Sequence, residues 1–266
     1  MGESVLGRRP GRSGLRSGAL DGQARGAIPL RASRARLLPA HLARTATGPV
    51  VAVDVLRAFT TAAYAFAAGA TRIWLVESVD EALSMKSRQP GLLAMGEDRG
   101  RRVHGFDFSN SPAEVADQDL RGRALVQRTS AGTRGVVAAE SATRRWCASL
   151  VCASATAAAV ADSELGAPAY VITGWLDDDR LGLDDMVTAQ LIERVRVGLP
   201  ADAAETARSV AGSAEAARTI ALGAGHADPA DIELATRVDA FDFAMQARRT
   251  ASGLELTTQR VQLDRG

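Results

Sequence analysis

Residues 49–57 read PVVAVDVLR and contain the clearest strand signal in the chain. Pro49 precedes four small or β-branched apolar residues, 50–53, which predict a strand that is buried on both faces, as in a parallel sheet. Asp54 ends this run, and Arg57 follows three residues later. Because ligands bind beyond the carboxyl ends of strands in open α/β sheets, this charged segment is a candidate for a functional site.

The rest of the chain predicts strands that alternate with helices. Ser78 and Glu81 have the S-x-x-E spacing of a capping box and predict a helix over 79–88. This alternation is typical of βαβ units, so we expect an α/β fold with a mostly parallel sheet and helices on both faces. The part of the chain over 183–249 predicts helices. The further predictions are strands at 73–76, 92–95, 124–126, 147–152 and 170–173, a long polar loop at 96–111, and helices at 60–70 and near 202–224 and 229–236.

The two ends of the chain differ from its middle in composition. Residues 1–36 are rich in Arg, Gly and Ser and contain only two acids, Glu3 and Asp21. We predict a disordered basic tail there, because no apolar periodicity ties these residues to a core. One α/β domain is expected over 37–249, followed by an irregular, polar C-terminal tail over 250–266.

Composition excludes several classes of function. The 266 residues have a net charge of +1, which gives no electrostatic reason to expect a nucleic-acid or membrane partner. No apolar run reaches the roughly 18 residues that a membrane-spanning helix needs. The two cysteines, Cys147 and Cys152, form neither a zinc motif nor a disulfide framework, so a cytoplasmic protein is expected. The sequence does not determine the oligomeric state, and a homodimer is kept as one option.

Four polar clusters follow predicted strands, at 54–57, 96–100, 129–134 and 177–185. Carboxylates suit Mg²⁺, whereas arginines and helix N-termini suit phosphate and sulfonate oxyanions. Together these groups are what metal-assisted phosphoryl transfer requires, and we expect them at one edge of the sheet. Each cluster also has a structural explanation: Asp54, Ser130 and Thr133 could cap helices, and Asp184 and Asp185 could complement a helix dipole.

Other catalytic motifs are missing from the sequence. Asp54 is followed two residues later by Leu56, so the D-x-D of haloacid-dehalogenase phosphatases is not present. Neither a G-x-S-x-G elbow nor a G-x-x-x-x-G-K-[ST] loop occurs. His104, in the predicted polar loop, is kept as an alternative proton donor.

Three segments carry a resemblance to the 2-phosphosulfolactate phosphatase family. Residues 51–61 (VAVDVLRAFTT) resemble the opening motif of the family, and residues 105–112 (GFDFSNSP) resemble its G-F-D-x-x-N-S-P signature. Residues 129–134 (TSAGTR) are similar to its T-[TS]-[NA]-G-T-R loop. Weaker similarities occur at Leu183-Asp184-Asp185 and at Asp231-Ile232, and the resemblance covers about residues 48–240.

The resemblance implies a 2-phosphosulfolactate phosphatase-like fold and Mg²⁺-dependent hydrolysis of 2-phospho-3-sulfolactate, a step of coenzyme M biosynthesis in organisms that make it. We therefore expect a small anionic phosphorylated substrate, and Asp54 and Glu97 as ligands of Mg²⁺. The expected catalytic residues are Asp54, Arg57, Glu97, Asp107 and Asp185. The expected substrate-binding residues are Arg57, Asn110, Ser130, Gly132, Thr133 and Arg134.

One segment departs from the family pattern. The family usually shows G-E-R-G-G where residues 96–100 read GEDRG, so that the arginine is displaced by one position. This displacement favours an alternative, a non-catalytic member that binds an anionic metabolite. The joint presence of Asp54, Arg57, Glu97, Asp107 and Asp185 favours the enzyme.

Overall fold

The computed structural model describes residues 34–177 and 180–262. The predicted basic tail at 1–36 therefore lies almost entirely outside the described residues. Its last residue, Arg36, begins an edge strand and pairs with Ala169.

The described residues form strands and helices in near alternation over most of the chain. The strands are β1 (Arg36–Pro39), β2 (Pro49–Val53), β3 (Arg72–Val76), β4 (Leu93–Asp98), β5 (Arg101–Arg102), β6 (Ala124–Arg128), β7 (Arg144–Ala148), β8 (Ala169–Ile172), β9 (Trp175–Asp177), β10 (Arg180–Leu181), β11 (Phe243–Thr250) and β12 (Gly253–Arg260). The helices are α1 (Ala58–Ala67), α2 (Val79–Arg88), α3 (Pro112–Ala116), α4 (Gly132–Ala138), α5 (Ala153–Asp162), α6 (Leu183–Arg196), α7 (Ala203–Ala211), α8 (Ala214–Ala221) and α9 (Ala230–Ala235), with 3-10 turns at Ala40–Thr45 and Leu150–Cys152. None of the helices in this part of the chain is long and apolar enough to span a membrane.

The α/β prediction is confirmed. Ten strands form one mixed, mostly parallel sheet in the order β1-β8-β2-β7-β11-β12-β3-β6-β4-β5, while β9 and β10 pair separately. Alternate residues of β2 enter different apolar clusters: Val50 and Ala52 pack with α1, and Val51 and Val53 pack with α5 and α6. Helices therefore cover both faces of the sheet, as the continuous apolar run in β2 predicts.

The C-terminal part of the prediction is wrong in two respects. Residues 243–249 are not helical, and residues 250–266 are not an irregular tail as far as they are described. Instead, β11 and β12 form an antiparallel hairpin in the middle of the sheet, between β7 and β3. Two local predictions also need correction: the strand at 147–152 lies at Arg144–Ala148, and the helix at 202–224 is two helices that Ser213 separates by capping α8.

The central hairpin reverses the direction of half of the sheet. Strands β1, β8, β2 and β7 are parallel to one another, and β3, β6 and β4 are parallel to one another but run in the opposite direction. The carboxyl end of β2 therefore points opposite to those of β4 and β6. The expected convergence of the polar clusters is nevertheless found for three of them, since residues of 54–57, 96–100 and 129–134 line one cavity. Helix α4 packs against strands of both halves, β2 and β3.

Candidate active site

A cavity of about 340 Å³ lies between the segments that follow β2 and β6, the end of β4, and helix α8. Five of the predicted site residues line it: Asp54, Arg57, Glu97, Asn110 and Ser130. Helix α8 and the residue after it were not predicted to contribute, yet Glu215, Arg218, Thr219 and Leu222 complete the wall. The cavity is thus lined by both acidic and basic side chains.

Asp54 is held at the N-terminus of α1 by two hydrogen bonds. Its Oδ1 accepts from the Ala58 backbone N–H (2.8 Å), and its Oδ2 accepts from the Thr173 hydroxyl (3.0 Å). The first bond is the helix cap that the sequence allows as a structural role. Burial, reinforced by the nearby Glu97 carboxylate, raises the pKa of Asp54 to about 6, so this side chain changes charge close to neutral pH.

Behind Asp54 lies a second buried carboxylate, Asp185. Its Oδ1 accepts from the Val55 N–H and its Oδ2 from the Gly174 N–H, both at 2.8 Å. The Thr173 hydroxyl lies 3.0 Å from Asp54 and 3.3 Å from Asp185. Since one hydroxyl donates one proton, it satisfies only one of the two carboxylates, and the other contact needs a proton on the acid. Burial and Asp184 raise the pKa of Asp185 well above its usual range, which favours a proton on Asp185 in this contact.

Asp184 is the least satisfied acid of this cluster. It is 2% exposed, and its Oδ1 has no hydrogen-bond partner among the described residues. Burial, with Glu215 and Asp54 next, raises its pKa to about 7. Because the folded state then binds the proton more tightly than the unfolded state, the stabilisation is fully present below about pH 4 and is lost as pH rises through about 7.

We therefore expect Asp184→Asn to stabilise the metal-free protein at pH 8 by about 2–4 kcal/mol, since a tenfold change in proton affinity corresponds to about 1.4 kcal/mol. The difference from wild type should vanish near pH 4. Urea unfolding in EDTA at a series of pH values measures it, and Asp117→Asn, at an exposed position outside the cavity, is the control. A constant difference between Asp184→Asn and wild type across this range would contradict the assignment.

Glu97 joins the end of β4 to the loop after β6. Its Oε1 accepts from the Ser130 N–H, and its Oε2 accepts from the Gly100 N–H (2.5 Å) and the Ser130 hydroxyl (3.0 Å). Glu97 is buried at the cavity wall, where these bonds fix its orientation. Ser130 is therefore more than a helix cap, because it links two segments of the cavity.

Arg57 forms a buried ion pair with Asp231, which comes from α9. Its Nη1 donates to Asp231 Oδ2 (2.8 Å) and to the His226 carbonyl (3.0 Å), and both side chains are nearly inaccessible to solvent. Asp231 also accepts from the Ser111 hydroxyl (2.5 Å). This ion pair is the structural role that the sequence left open for Arg57, although Arg57 also lines the cavity.

Asp107 does not reach the cavity, contrary to the predicted catalytic role. Its Oδ2 accepts from the Ala94 N–H (2.7 Å) and from Lys86 Nζ (2.8 Å), so the carboxylate ties the loop after β5 to β4 and α2. The alternative to the predicted catalytic role is that Asp107 positions the segment that carries Asn110.

We expect Asp107→Asn to keep kcat/KM within about threefold of wild type for the folded enzyme, because the side chain touches no cavity group. The substitution should lower the free energy of unfolding by about 1 kcal/mol, because it weakens a half-buried ion pair and a backbone hydrogen bond. Steady-state kinetics and thermal unfolding of the purified variant separate the two effects. A loss of activity above 100-fold in a fully folded variant would restore the catalytic assignment.

The remaining predicted residues divide into two groups. Asn110 is buried at the cavity wall, and its side-chain carbonyl has no partner among the described residues, which leaves it free for a ligand. Thr133 is buried and bonded to Thr129, and Arg134 is exposed and does not line the cavity. The shared crevice predicted for Arg57 and Arg134 is therefore not found.

Gly132 matters through its missing side chain. A methyl group there would lie 2.6 Å from Asp54 Oδ2 and 2.7 Å from the Ala58 Cβ, closer than real Cβ contacts allow. Only glycine lets the start of α4 approach Asp54 this closely. Gly132 thus shapes the site by letting α4 begin next to Asp54.

Several residues of the site escaped prediction from the sequence. Thr173, Asp184, Arg99 and the α8 residues belong to the cavity or to its supporting hydrogen bonds. Asp184 and Arg99 had a signal, since Asp184 adjoins the predicted Asp185 and Arg99 lies in the same polar cluster, 96–100, as the predicted Glu97. Glu215 and Arg218 had none, because they lie in a helix far from any predicted strand end.

The donor set of the cavity fits a Mg²⁺ ion. Within the ranges described, no group of three or more His, Cys, Asp or Glu side chains is arranged to hold a metal. Two carboxylates are enough for Mg²⁺, however, because this ion keeps several waters and takes further oxygens from substrate phosphates. Asp54 and Glu97 both line the cavity, and burial raises the pKa of Asp54 to about 6 even though Arg57 acts in the opposite direction.

Comparison with known proteins points to one family. Residues 36–246 match the family model described as 2-phosphosulpholactate phosphatase. A probable 2-phosphosulfolactate phosphatase of Bacillus subtilis (strain 168) is 32% identical over 200 residues, 75% of this chain and 86% of the relative. Proteins of the same name from Carboxydothermus hydrogenoformans and Deinococcus radiodurans are 41% and 38% identical. Those two alignments cover 45% and 55% of this chain, and 49% and 61% of the relatives.

Proposed function

Because the chain belongs to the 2-phosphosulfolactate phosphatase family, a family of phosphoric monoester hydrolases, we propose that it hydrolyses a small anionic phosphomonoester with the help of Mg²⁺. The first candidate substrate is 2-phospho-3-sulfolactate, which would give 3-sulfolactate and phosphate. The observation that carries the proposal is the cavity itself, where Asp54 and Glu97 face Arg57, Arg99 and Arg218.

In this proposal Asp54 and Glu97 hold Mg²⁺. The ion supplies positive charge to the phosphoryl oxygens as the ester bond breaks. Glu97 is already oriented by Ser130 and Gly100, so binding the ion requires little rearrangement of that side chain.

In this proposal Asp185, which lies behind Asp54, is protonated, because burial raises its pKa. Asp54 then has no second negative charge on the other side of the Thr173 hydroxyl that the two acids share. A polar environment fixed in advance in this way reduces the cost of reorganisation during the reaction.

Substrate positioning falls to groups on three sides of the cavity. Asn110 offers an unpaired side-chain carbonyl, an acceptor, at the wall, and the arginines offer planar paired donors to oxyanions. The Ser130 hydroxyl at the wall is bonded to Glu97. The arginine that the sequence shows displaced by one position, Arg99, still lines the cavity, which favours the enzyme over the non-catalytic alternative.

A substrate panel tests the proposal. We expect kcat/KM for 2-phospho-3-sulfolactate to exceed that for 4-nitrophenyl phosphate by at least tenfold in Mg²⁺, because the second and third anionic groups of the first substrate add binding energy. Binding of 3-sulfolactate without phosphate release from any ester would instead identify a non-catalytic anion-binding protein.

A further inference from the structure

The three arginines of the cavity differ in what they are bound to. Arg57 is paired with Asp231, and Arg218 is paired with Glu215 at 2.7 Å on the same helix. Arg99 lines the cavity, but no carboxylate among the described residues lies within ion-pair distance of it. Among the described residues, its guanidinium is therefore the cavity cation without a carboxylate partner.

The backbone of Arg99 is fixed although the side chain is exposed. Its N–H donates to the Ser130 hydroxyl (2.8 Å), and the next residue, Gly100, donates to Glu97. Gly100 also packs against Leu222, since a methyl group at Gly100 would lie 2.9 Å from the Leu222 side chain. The backbone of Arg99 is thus bound to Ser130 directly and to Glu97 through the neighbouring Gly100. These bonds fix the point on the cavity wall from which the Arg99 side chain extends.

The neighbouring acid does not compete for Arg99. Asp98 turns to Arg128, with which it forms a 2.7 Å ion pair, and it does not line the cavity. Of these two loop residues, Asp98 thus pairs outside the cavity and Arg99 lines it.

The expected substrate needs such a cation. A phosphomonoester that also carries a carboxylate and a sulfonate has a charge of about −4 near neutral pH. One Mg²⁺ offsets half of that charge, and Arg57 and Arg218 are already partly neutralised by their partners. The unpaired, planar guanidinium of Arg99 is suited to a carboxylate or sulfonate, to which it can donate two parallel hydrogen bonds.

We propose that Arg99 is a specificity-determining residue that binds the non-phosphate anionic group of the substrate. The proposal rests on the proposed function for the identity of the substrate class. It predicts that Arg99 discriminates multiply anionic phosphomonoesters from simple ones and contributes little to the phosphoryl group itself.

Calorimetric titration of the full chain in Mg²⁺ with 3-sulfolactate and, separately, with inorganic phosphate tests the proposal. We expect Arg99→Gln to raise the Kd for 3-sulfolactate at least tenfold, equivalent to about 1.4 kcal/mol, and the Kd for phosphate less than threefold. Arg99→Lys should fall between wild type and Arg99→Gln, because it keeps the charge but loses the paired donors. Arg101→Gln, an exposed arginine of the same hairpin that does not line the cavity, is the matched control and should bind like wild type.

An unchanged Kd for 3-sulfolactate in Arg99→Gln would overturn the proposal, as would equal losses for both ligands or a wild type that binds no 3-sulfolactate. Phosphate release is measured separately on the same preparations. If wild type releases no phosphate from any ester, yet Arg99→Gln weakens 3-sulfolactate binding selectively, the phosphatase function fails while the role of Arg99 stands.

Discussion

Asp54→Asn should lower kcat/KM for the phosphomonoester by about 1,000-fold, within the range that a single acid–base or charge-bearing group contributes. The substitution keeps the size of the side chain and can still accept from Ala58 N–H, but it removes the anion that faces the cavity. The same variant should need a higher Mg²⁺ concentration for half-maximal rate, and Glu97→Gln should shift that concentration in the same direction.

Steady-state kinetics across a Mg²⁺ titration measures both effects, with circular dichroism to show that the variants are folded. Asp107→Asn, whose carboxylate is bound to Lys86 away from the cavity, is the matched control. If Asp54→Asn and Glu97→Gln both keep the Mg²⁺ dependence of wild type, these two carboxylates do not hold the ion.

Arg57→Met should lower the free energy of unfolding by about 3–5 kcal/mol, because it leaves the fully buried Asp231 carboxylate without its cation. For a protein of this size that corresponds to a fall in melting temperature of roughly 6–20 °C. Replacing both partners, as Arg57→Met with Asp231→Leu, should recover most of the loss. Arg121→Met, which breaks an exposed ion pair with Asp119, should not change the melting temperature measurably.

The kinetics of Arg57→Lys then separate substrate binding by Arg57 from a structural role in the ion pair with Asp231. Lysine keeps the charge beside Asp231 but not the planar donors, so a substrate-binding Arg57 predicts a 10- to 100-fold loss of kcat/KM with little change in stability. If Arg57→Lys unfolds more easily and the folded fraction keeps its kcat/KM, Arg57 acts through Asp231 and does not bind substrate.

The sequence was most informative where local chemistry determines structure. Residues 50–53 predicted β2, because a continuous apolar run gives a strand two apolar faces. In the structure the alternate residues of β2 do pack into two different apolar clusters. Ser78 predicted the start of α2, and its hydroxyl accepts from the Glu81 N–H at 3.0 Å. Glu81 itself accepts from Glu77 rather than from the Ser78 N–H that a capping box specifies, a difference of one residue that the sequence does not reveal.

The hairpin of β11 and β12 was missed because its sequence does not look buried. Residues 246–250 (QARRT) and 257–260 (TTQR) are polar, although Met245 and Leu256 lie in the middle of the sheet. The apolar alternation at Leu254 and Leu256 was too short to outweigh them. Without this hairpin, the reversal between the two parallel halves could not be inferred either.

The site was predicted where its residues follow strands and missed where its contacts are distant along the chain. Asp54, Glu97 and Ser130 adjoin β2, β4 and β6, so their position in the fold followed from the strands. Asp231, the partner of Arg57, is 174 residues away along the chain, and no local sequence pattern predicts such an ion pair. Asp107 belongs to a family-like motif, yet its carboxylate serves the loop, so similarity to a motif did not by itself define a role.

Whether the chain is a Mg²⁺-dependent phosphatase is decided by phosphate release from 2-phospho-3-sulfolactate, measured on the purified wild-type chain in Mg²⁺ and then in EDTA. We expect turnover in Mg²⁺, loss of at least 90% of it in EDTA and recovery when Mg²⁺ is restored. Asp54→Asn should show at most about 0.1% of the wild-type rate. Phosphate release that is equal in Mg²⁺ and EDTA would contradict the metal-dependent site, and no release under either condition from a folded chain would contradict the phosphatase function itself.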